Sequence, residues 1–222
     1  MTDAKNKTTT RMAERFRGYL PVVVDIETGG FEADRHAILE IAAITLVYEE
    51  GSLSIDGRLC WAVQPFRGAA IEASSLKITG IDLTDPKRQA SDEQVVVKAL
   101  FGEVRKAIKA ARCHRGILVG HNAAFDAQFL RALAHRTQAK RDPFHPFSVI
   151  DTASLAAVAY GHTVLSEACQ RAGIPFDAEK AHSALYDAER TAELFCKIVN
   201  AWDRGIASAG RGTVPTSRRQ FP

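Results

Sequence analysis

Three places along the chain carry acids at spacings that could hold a cation. Asp25 and Glu27 stand two apart at the end of the run Pro21-Val22-Val23-Val24. Alternate residues of a strand point to one face, so these two carboxylates share a face. Carboxylates a few Å apart resist joint ionisation unless a cation sits between them. Asp126 closes the segment Gly120-His121-Asn122-Ala123-Ala124-Phe125-Asp126, where a strand ends and a helix starts. His182 precedes Asp187 by five residues. That is about 500° of helix, so the two do not share a helical face. His182 is therefore expected in a loop and Asp187 inside the helix that follows. Asp187 lines up with Thr191, Leu194 and Ile198, at the edge of a buried stripe. An acid there is costly unless it is paired or bound to metal.

Each feature alone has an ordinary reading. Acids often close strands, and a carboxylate in the first turn of a helix is favoured by the helix dipole. Asp151, at another strand end, reads as a cap for the next helix. Taken together, the acids form an all-oxygen set that suits Mg²⁺ or Mn²⁺ rather than zinc. Two such ions, about 4 Å apart, can activate a water and stabilise a leaving oxygen in phosphodiester cleavage.

The elements that must position these residues follow from pattern. Residues 21–26 are a β-branched run with almost no alternation, as in a strand buried on both faces. Residues 38–47 and 59–63 are further apolar runs, and Gly51-Ser52 and Asp56-Gly57 read as turns. An antiparallel meander of three strands is expected. Val97, Leu100, Phe101, Val104, Ile108 and Ala111 recur at helical spacing, with Ser91 and Gln94 as a capping box. Residues 116–120 and 149–151 read as strands. Phe125, Phe129 and Leu133 mark one helix, and an alanine-rich helix follows Asp151. Two more helices are expected over 163–171 and from Ser183 to roughly Trp202. The order βββαβαβα with trailing helices is an α/β fold with a mixed sheet.

The chain has 222 residues, 46% hydrophobic and 25% charged, which excludes collagen-like, coiled-coil and wholly disordered classes. No apolar stretch approaches the roughly 20 residues of a membrane span. No secretory signal is seen, and Cys60, Cys113, Cys169 and Cys196 show no pairwise spacing, so reduced, mostly buried thiols in a cytoplasmic protein are expected. The net charge of +3 is unevenly spread. Residues 1–19 hold five bases and two acids, and residues 204–222 hold four bases and no acid, leaving 3 − 3 − 4 = −4 for the body. One domain is expected over 15–203, with a mobile tail over 1–14 and a basic, disordered tail over 204–222.

Asp25-x-Glu27, Asp126 after Asn122-x-x-Phe125, and His182-x-x-x-x-Asp187 resemble, in order and spacing, the three motifs of the DEDDh 3′→5′ exonucleases. Residues 15–18, 39–46, 143–147 and 181–195 are similar to a narrower, RNA-trimming branch of that family. The resemblance implies a ribonuclease H-like fold with a central five-stranded mixed sheet flanked by helices. It implies a homodimer that trims 3′ ends of tRNA and other small stable RNAs, and single-stranded DNA as well, with two Mg²⁺ per site and Mn²⁺ as a substitute. By that resemblance Asp25 would bridge both ions. Glu27 and Asp187 would hold the ion that carries the attacking water, Asp126 would help hold the other, and His182 would deprotonate the water.

The same resemblance assigns substrate contacts. Phe31, Phe125 and Phe147 match positions that stack terminal bases, and stacking is worth about 1–3 kcal/mol per base. Arg15, Arg17, Lys109, Arg115 and Lys140 match positions that grip RNA, with one subunit's bases feeding the other's acids. The alternatives are a core role for Phe125 and Phe147, and a plain solvated face for Arg105, Lys109 and Arg112. The sequence departs from the family at Ser74 and Ile78, where a glutamate and a phenylalanine are expected, which bears on terminal-base preference. His36, His114, His121, His135, His145 and His162 read as structural. A DNA proofreading exonuclease and an inactive RNA-binding module remain as alternative functions.

Overall fold

A computed structural model of the chain describes residues 12–208, with side chains to Gly205. A five-stranded sheet has the order β3-β2-β1-β4-β5. Its strands are β1 (Tyr19–Thr28), β2 (Ile38–Glu49), β3 (Ser52–Ala62), β4 (Arg115–Gly120) and β5 (Phe144–Asp151). The helices are α1 (Ala73–Thr79), α2 (Glu93–Ala110), α3 (Ala124–Arg136), α4 (Thr152–Tyr160), α5 (Leu165–Arg171) and α6 (Ala184–Ser208). β1, β2 and β3 pair antiparallel, while β4 and β5 run parallel to β1. This is the expected mixed sheet, antiparallel first and parallel later.

β1 sits at the centre because its residues have no polar face to offer. Val22, Val23 and Val24 are all fully buried, so both faces of the sheet are covered. The long helix α6 packs on β1, β2 and β3, and α2 and α3 pack on β1 and β4. Val97, Leu100, Phe101, Val104 and Ile108 of α2 are buried as their spacing requires. No helix among the described residues is long and apolar enough to cross a membrane.

Several local readings are corrected. Asp56-Gly57 is not a turn. It lies inside β3, where the β2–β3 register slips between Thr45 and Leu46, and the Thr45 hydroxyl accepts from the Gly57 N–H at 2.9 Å. The capping box at Ser91 does not form. Ser91 spends its backbone on the Val63 bridge, and Asp92 precedes the helix. Helix α1 was not expected at all. α6 continues to Ser208 rather than stopping near Trp202. Cys60 is exposed and Cys113 half-buried, so only Cys169 and Cys196 are buried.

At the N-terminus, Met12–Glu14 forms a 3-10 turn with Met12 buried. The tail expected over 1–14 otherwise lies outside the described residues, as does that over 204–222 beyond Ser208.

Candidate active site

The C-terminal end of β1 meets the first turns of α3 and α6. Asp25 and Glu27 come from β1. Asp126 is buried in the first turn of α3, and the Ile26 N–H donates to its carboxylate. Gly120 ends β4 beneath it. A Cβ on Gly120 would stand 3.1 Å from Asp126 Oδ2, so a side chain there would press on the carboxylate. Gly29 also permits a close approach, since its added Cβ would lie 3.1 Å from the Ala70 carbonyl.

His182 is exposed in the loop before α6, with φ +64. Its N–H donates to Asp187 Oδ2 at 3.0 Å. Thr191 and Leu194 are buried behind Asp187, as the stripe required. One ligand atom from each of Glu27, His182 and Asp187 lies within 4.8 Å of the others. Asp187 Oδ1 is buried and has no hydrogen-bond partner. An orphaned, buried carboxylate oxygen beside a second carboxylate is what a hard cation would satisfy. The residues therefore fit a divalent ion, and the imidazole in reach also suits Mn²⁺.

The electrostatics agree. Burial raises Asp25 well above the carboxylate range, and Asp126, Glu27, Asp187 and Glu40 raise it further. Asp126 is raised by burial against the pull of backbone N–H groups. Asp187 is raised by burial and opposed by His182 and His121. Glu27 is pushed up to about 7 by burial first, then by Asp187 and Glu40.

The Glu27 shift gives a stability prediction. The folded state holds this proton more tightly than the unfolded chain does. That stability is complete below the ordinary value of 4.5 and is lost as pH rises through about 7. Without a divalent cation, stability should therefore fall between about pH 5 and 7.5, with Glu27 contributing roughly 2–3 kcal/mol at most. Glu27→Gln cannot ionise and should flatten the fall. Melting curves of both proteins across that range check this, and identical slopes would refute it.

Other expected residues fall into separate groups. Phe31 is 74% exposed and meets Phe125 edge-on at 6.3 Å. Phe125 is half-buried and packs on Phe129 at 4.9 Å, so it serves core and surface together. Phe147 is 86% exposed. Its ring contact among the described residues is His145, which itself lies against Tyr19. That is the start of β1, so one chain does not bring Phe147 to Phe31 and Phe125.

Arg115 pairs with Tyr19 at the starts of β4 and β1. Arg17 is exposed, with its guanidinium 5.5 Å from the Tyr19 ring. Lys109 and Lys140 are exposed at the end of α2 and before β5. These cations gather at the pole of the sheet opposite the acids. Arg15 differs, because it is already ion-paired with Asp203 at 2.5 Å.

Asp151 caps α4, accepting from Ala153 N–H at 2.9 Å, and accepts from Asn122 N–H. His121 contacts Thr152 Oγ1 and the Thr163 carbonyl through its two nitrogens, a structural use. Ser74 and Ile78 both lie on α1. Ser74 Oγ donates to Glu72 at 3.3 Å, and Ile78 is exposed.

Sequence reasoning missed Glu40, which lies directly across from Glu27 in the β1–β2 ladder. A signal was available, since Glu40 is the one charge inside the otherwise apolar stretch 37–44.

The chain is similar to known nucleases. The family described as Exonuclease matches residues 22–195. Ribonuclease T of Hahella chejuensis is 54% identical over 203 residues, covering 91% of this chain and 93% of that one. Escherichia coli exonuclease I in complex with a dT13 oligonucleotide superposes with a TM-score of 0.65 at 18% identity. That match covers 86% of this chain and 43% of the larger one. The nuclease domain of 3'hExo, a DEDDh family member bound to rAMP, gives a TM-score of 0.65 at 17% identity over 82% of this chain and 92% of that one. The fold is therefore ribonuclease H-like, and by its matched family and its relative the chain belongs to the Exonuclease family, in its ribonuclease T branch.

Proposed function

We propose that the chain is a metal-dependent 3′→5′ exoribonuclease that trims 3′ ends of tRNA and other small stable RNAs and also acts on single-stranded DNA. The observation that carries this is the meeting of Asp25, Glu27, Asp126, Asp187 and His182 at one end of β1, with Asp187 Oδ1 left unpartnered. Two Mg²⁺, or Mn²⁺ in their place, would supply an acidified water and offset charge on the leaving oxygen.

The chain's own groups do the rest. Asp25 faces Asp126, Glu27 and Asp187 and would contact both ions. Glu27 and Asp187 would hold one ion, and Asp126 would help hold the other. His182 lies within reach of Glu27 and Asp187, on a loop that gives its imidazole access to solvent, so it would take the proton from the attacking water. The exposed Phe31, backed by Phe125, would stack the terminal base.

Arg17, Lys109, Arg115 and Lys140 lie at the opposite pole with Phe147. A homodimer resolves that separation, since one subunit's cations and Phe147 would serve its partner's acids. Arg15 would contribute to this grip through its place beside Arg17. Four free cysteines favour the reducing cytoplasm as the place of action.

The test is digestion of a 3′-labelled RNA with Mg²⁺ and again with EDTA. Loss of label only with Mg²⁺ is expected, and equal loss in both would overturn the reading. No loss with any divalent ion would support an inactive binding module instead. Competition between matched RNA and DNA 3′ ends separates this reading from a proofreading exonuclease.

A further inference from the structure

We propose that Glu40 is a positioning residue of this site, fixing the first turn of α6, and so Asp187 and His182, against Glu27. This rests on the reading of Glu27 and Asp187 as metal ligands. The observations come from three elements. Glu40 on β2 is the ladder partner of Glu27, and the register slips immediately beyond that pair. Glu40 Oε2 accepts from the Ala184 N–H at 2.8 Å, and Ala184 is the first residue of α6.

The first N–H groups of a helix have no partner within it, and a negative charge at that end is favoured by the dipole. From Ala184 the constraint runs on through the backbone. Asp187 N–H donates to the Ser183 carbonyl at 2.9 Å, and Asp187 Oδ2 accepts from His182 N–H. His182 holds a left-handed φ of +64, which a non-glycine residue keeps only when its surroundings enforce it. Glu40 is the anchor from which this turn is fixed to the sheet.

The choice of an acid for this task needs a reason. Its charge makes ionisation of Asp25 and Glu27 harder. Two features offset that cost. One is the α6 N-terminus. The other is Arg88, which donates to the Leu39 and Val63 carbonyls at 2.5 and 2.8 Å and lies close enough to feel the Glu40 charge. The Ala184 N–H bond orients the carboxylate, and the guanidinium acts on it as a nearby positive charge. An apolar residue at position 40 would fill space but leave the Ala184 N–H without its partner.

The test uses the full chain with Mn²⁺ as the probe. Bound Mn²⁺ is followed by electron paramagnetic resonance and the Ala184 amide by hydrogen exchange. Glu40→Ala should expose that amide to faster exchange and weaken Mn²⁺ binding about 10-fold, with kcat falling and KM for RNA unchanged. Glu40→Gln keeps an acceptor oxygen and should retain both amide protection and most of the Mn²⁺ affinity. Unchanged exchange and Mn²⁺ affinity in Glu40→Ala would overturn the proposal. So would a Glu40→Gln variant that loses Mn²⁺ as badly as Glu40→Ala while Ala184 stays protected, since charge and not position would then matter. Asp187→Asn is the control for the underlying reading. If it binds Mn²⁺ like the parent, the metal assignment itself fails. If it loses Mn²⁺ and Glu40→Ala does not, only the role of Glu40 fails.

Discussion

Asp25→Asn is expected to lower hydrolysis of a 3′-labelled RNA by about 10³-fold or more while leaving the fold intact. Asp25 feels four other carboxylates, those of Asp126, Glu27, Asp187 and Glu40, so it lies among all the other acids of the cluster. The substitution preserves shape and removes one negative charge. Without metal, that charge is opposed by burial and by its neighbours, so its loss should leave the metal-free protein at least as stable at neutral pH. The cations that would grip RNA lie at the other end of β1 and β4, so affinity for RNA in EDTA should not change. Activity, melting temperature and RNA affinity measured on one preparation check all three parts. A variant within tenfold of the parent rate would refute the central role of Asp25.

What could be read from the sequence was whatever depends on neighbours along the chain. The run Val22-Val23-Val24 fixes a buried strand, and the two-residue spacing of Asp25 and Glu27 fixes their common face. The angle between residues 182 and 187 separates a loop histidine from a helix aspartate, and the structure places both as expected. Features that depend on pairing across the sheet were not legible. Glu40 acquires meaning only from the β1–β2 register that sets it opposite Glu27. Asp56-Gly57 has the composition of a turn, but the Thr45 hydroxyl and the pairing of β2 hold it inside a strand. Ser91 has the spacing of a cap, but its backbone donates to the Ala62 carbonyl and accepts from the Gln64 N–H across the bridge to Val63. Helix α1 is only seven residues long, too short for a 3.6-residue period to stand out.

The placement of Phe147 makes the same point about distance. Phe31, Phe125 and Phe147 look equivalent as isolated aromatic residues. In the fold, the first two meet beside the acids, and the third lies with His145 and Tyr19 at the start of β1. Sequence gives the stacking chemistry but not which pole of the sheet each ring occupies. That polarity, with acids at the C-terminal end of β1 and cations at its beginning, also bears on the net charge of +3. That sum includes the two termini; within the body, whose net charge is −4, one surface suits a metal and the other phosphates.

His182→Ala is expected to lower kcat by about 10²–10⁴-fold, the usual span for loss of a general base, with KM for RNA nearly unchanged. The side chain is exposed, yet one of its nitrogens lies within 4.8 Å of carboxylate oxygens of both Glu27 and Asp187. That geometry allows two roles, metal ligand or base, and they differ in what else the substitution removes. A ligand would take Mn²⁺ affinity with it, as Asp187→Asn should. A base would leave Mn²⁺ affinity intact and lose only the proton transfer. The backbone supplies a further control. His182 sits at φ +64, a conformation that glycine adopts without strain. His182→Gly should therefore keep the N–H bond to Asp187 while deleting the imidazole. Added imidazole should then restore part of the rate in His182→Gly and none in Asp187→Asn. Loss of Mn²⁺ binding in His182→Gly, with the Asp187 bond still protected from exchange, would instead make His182 a ligand.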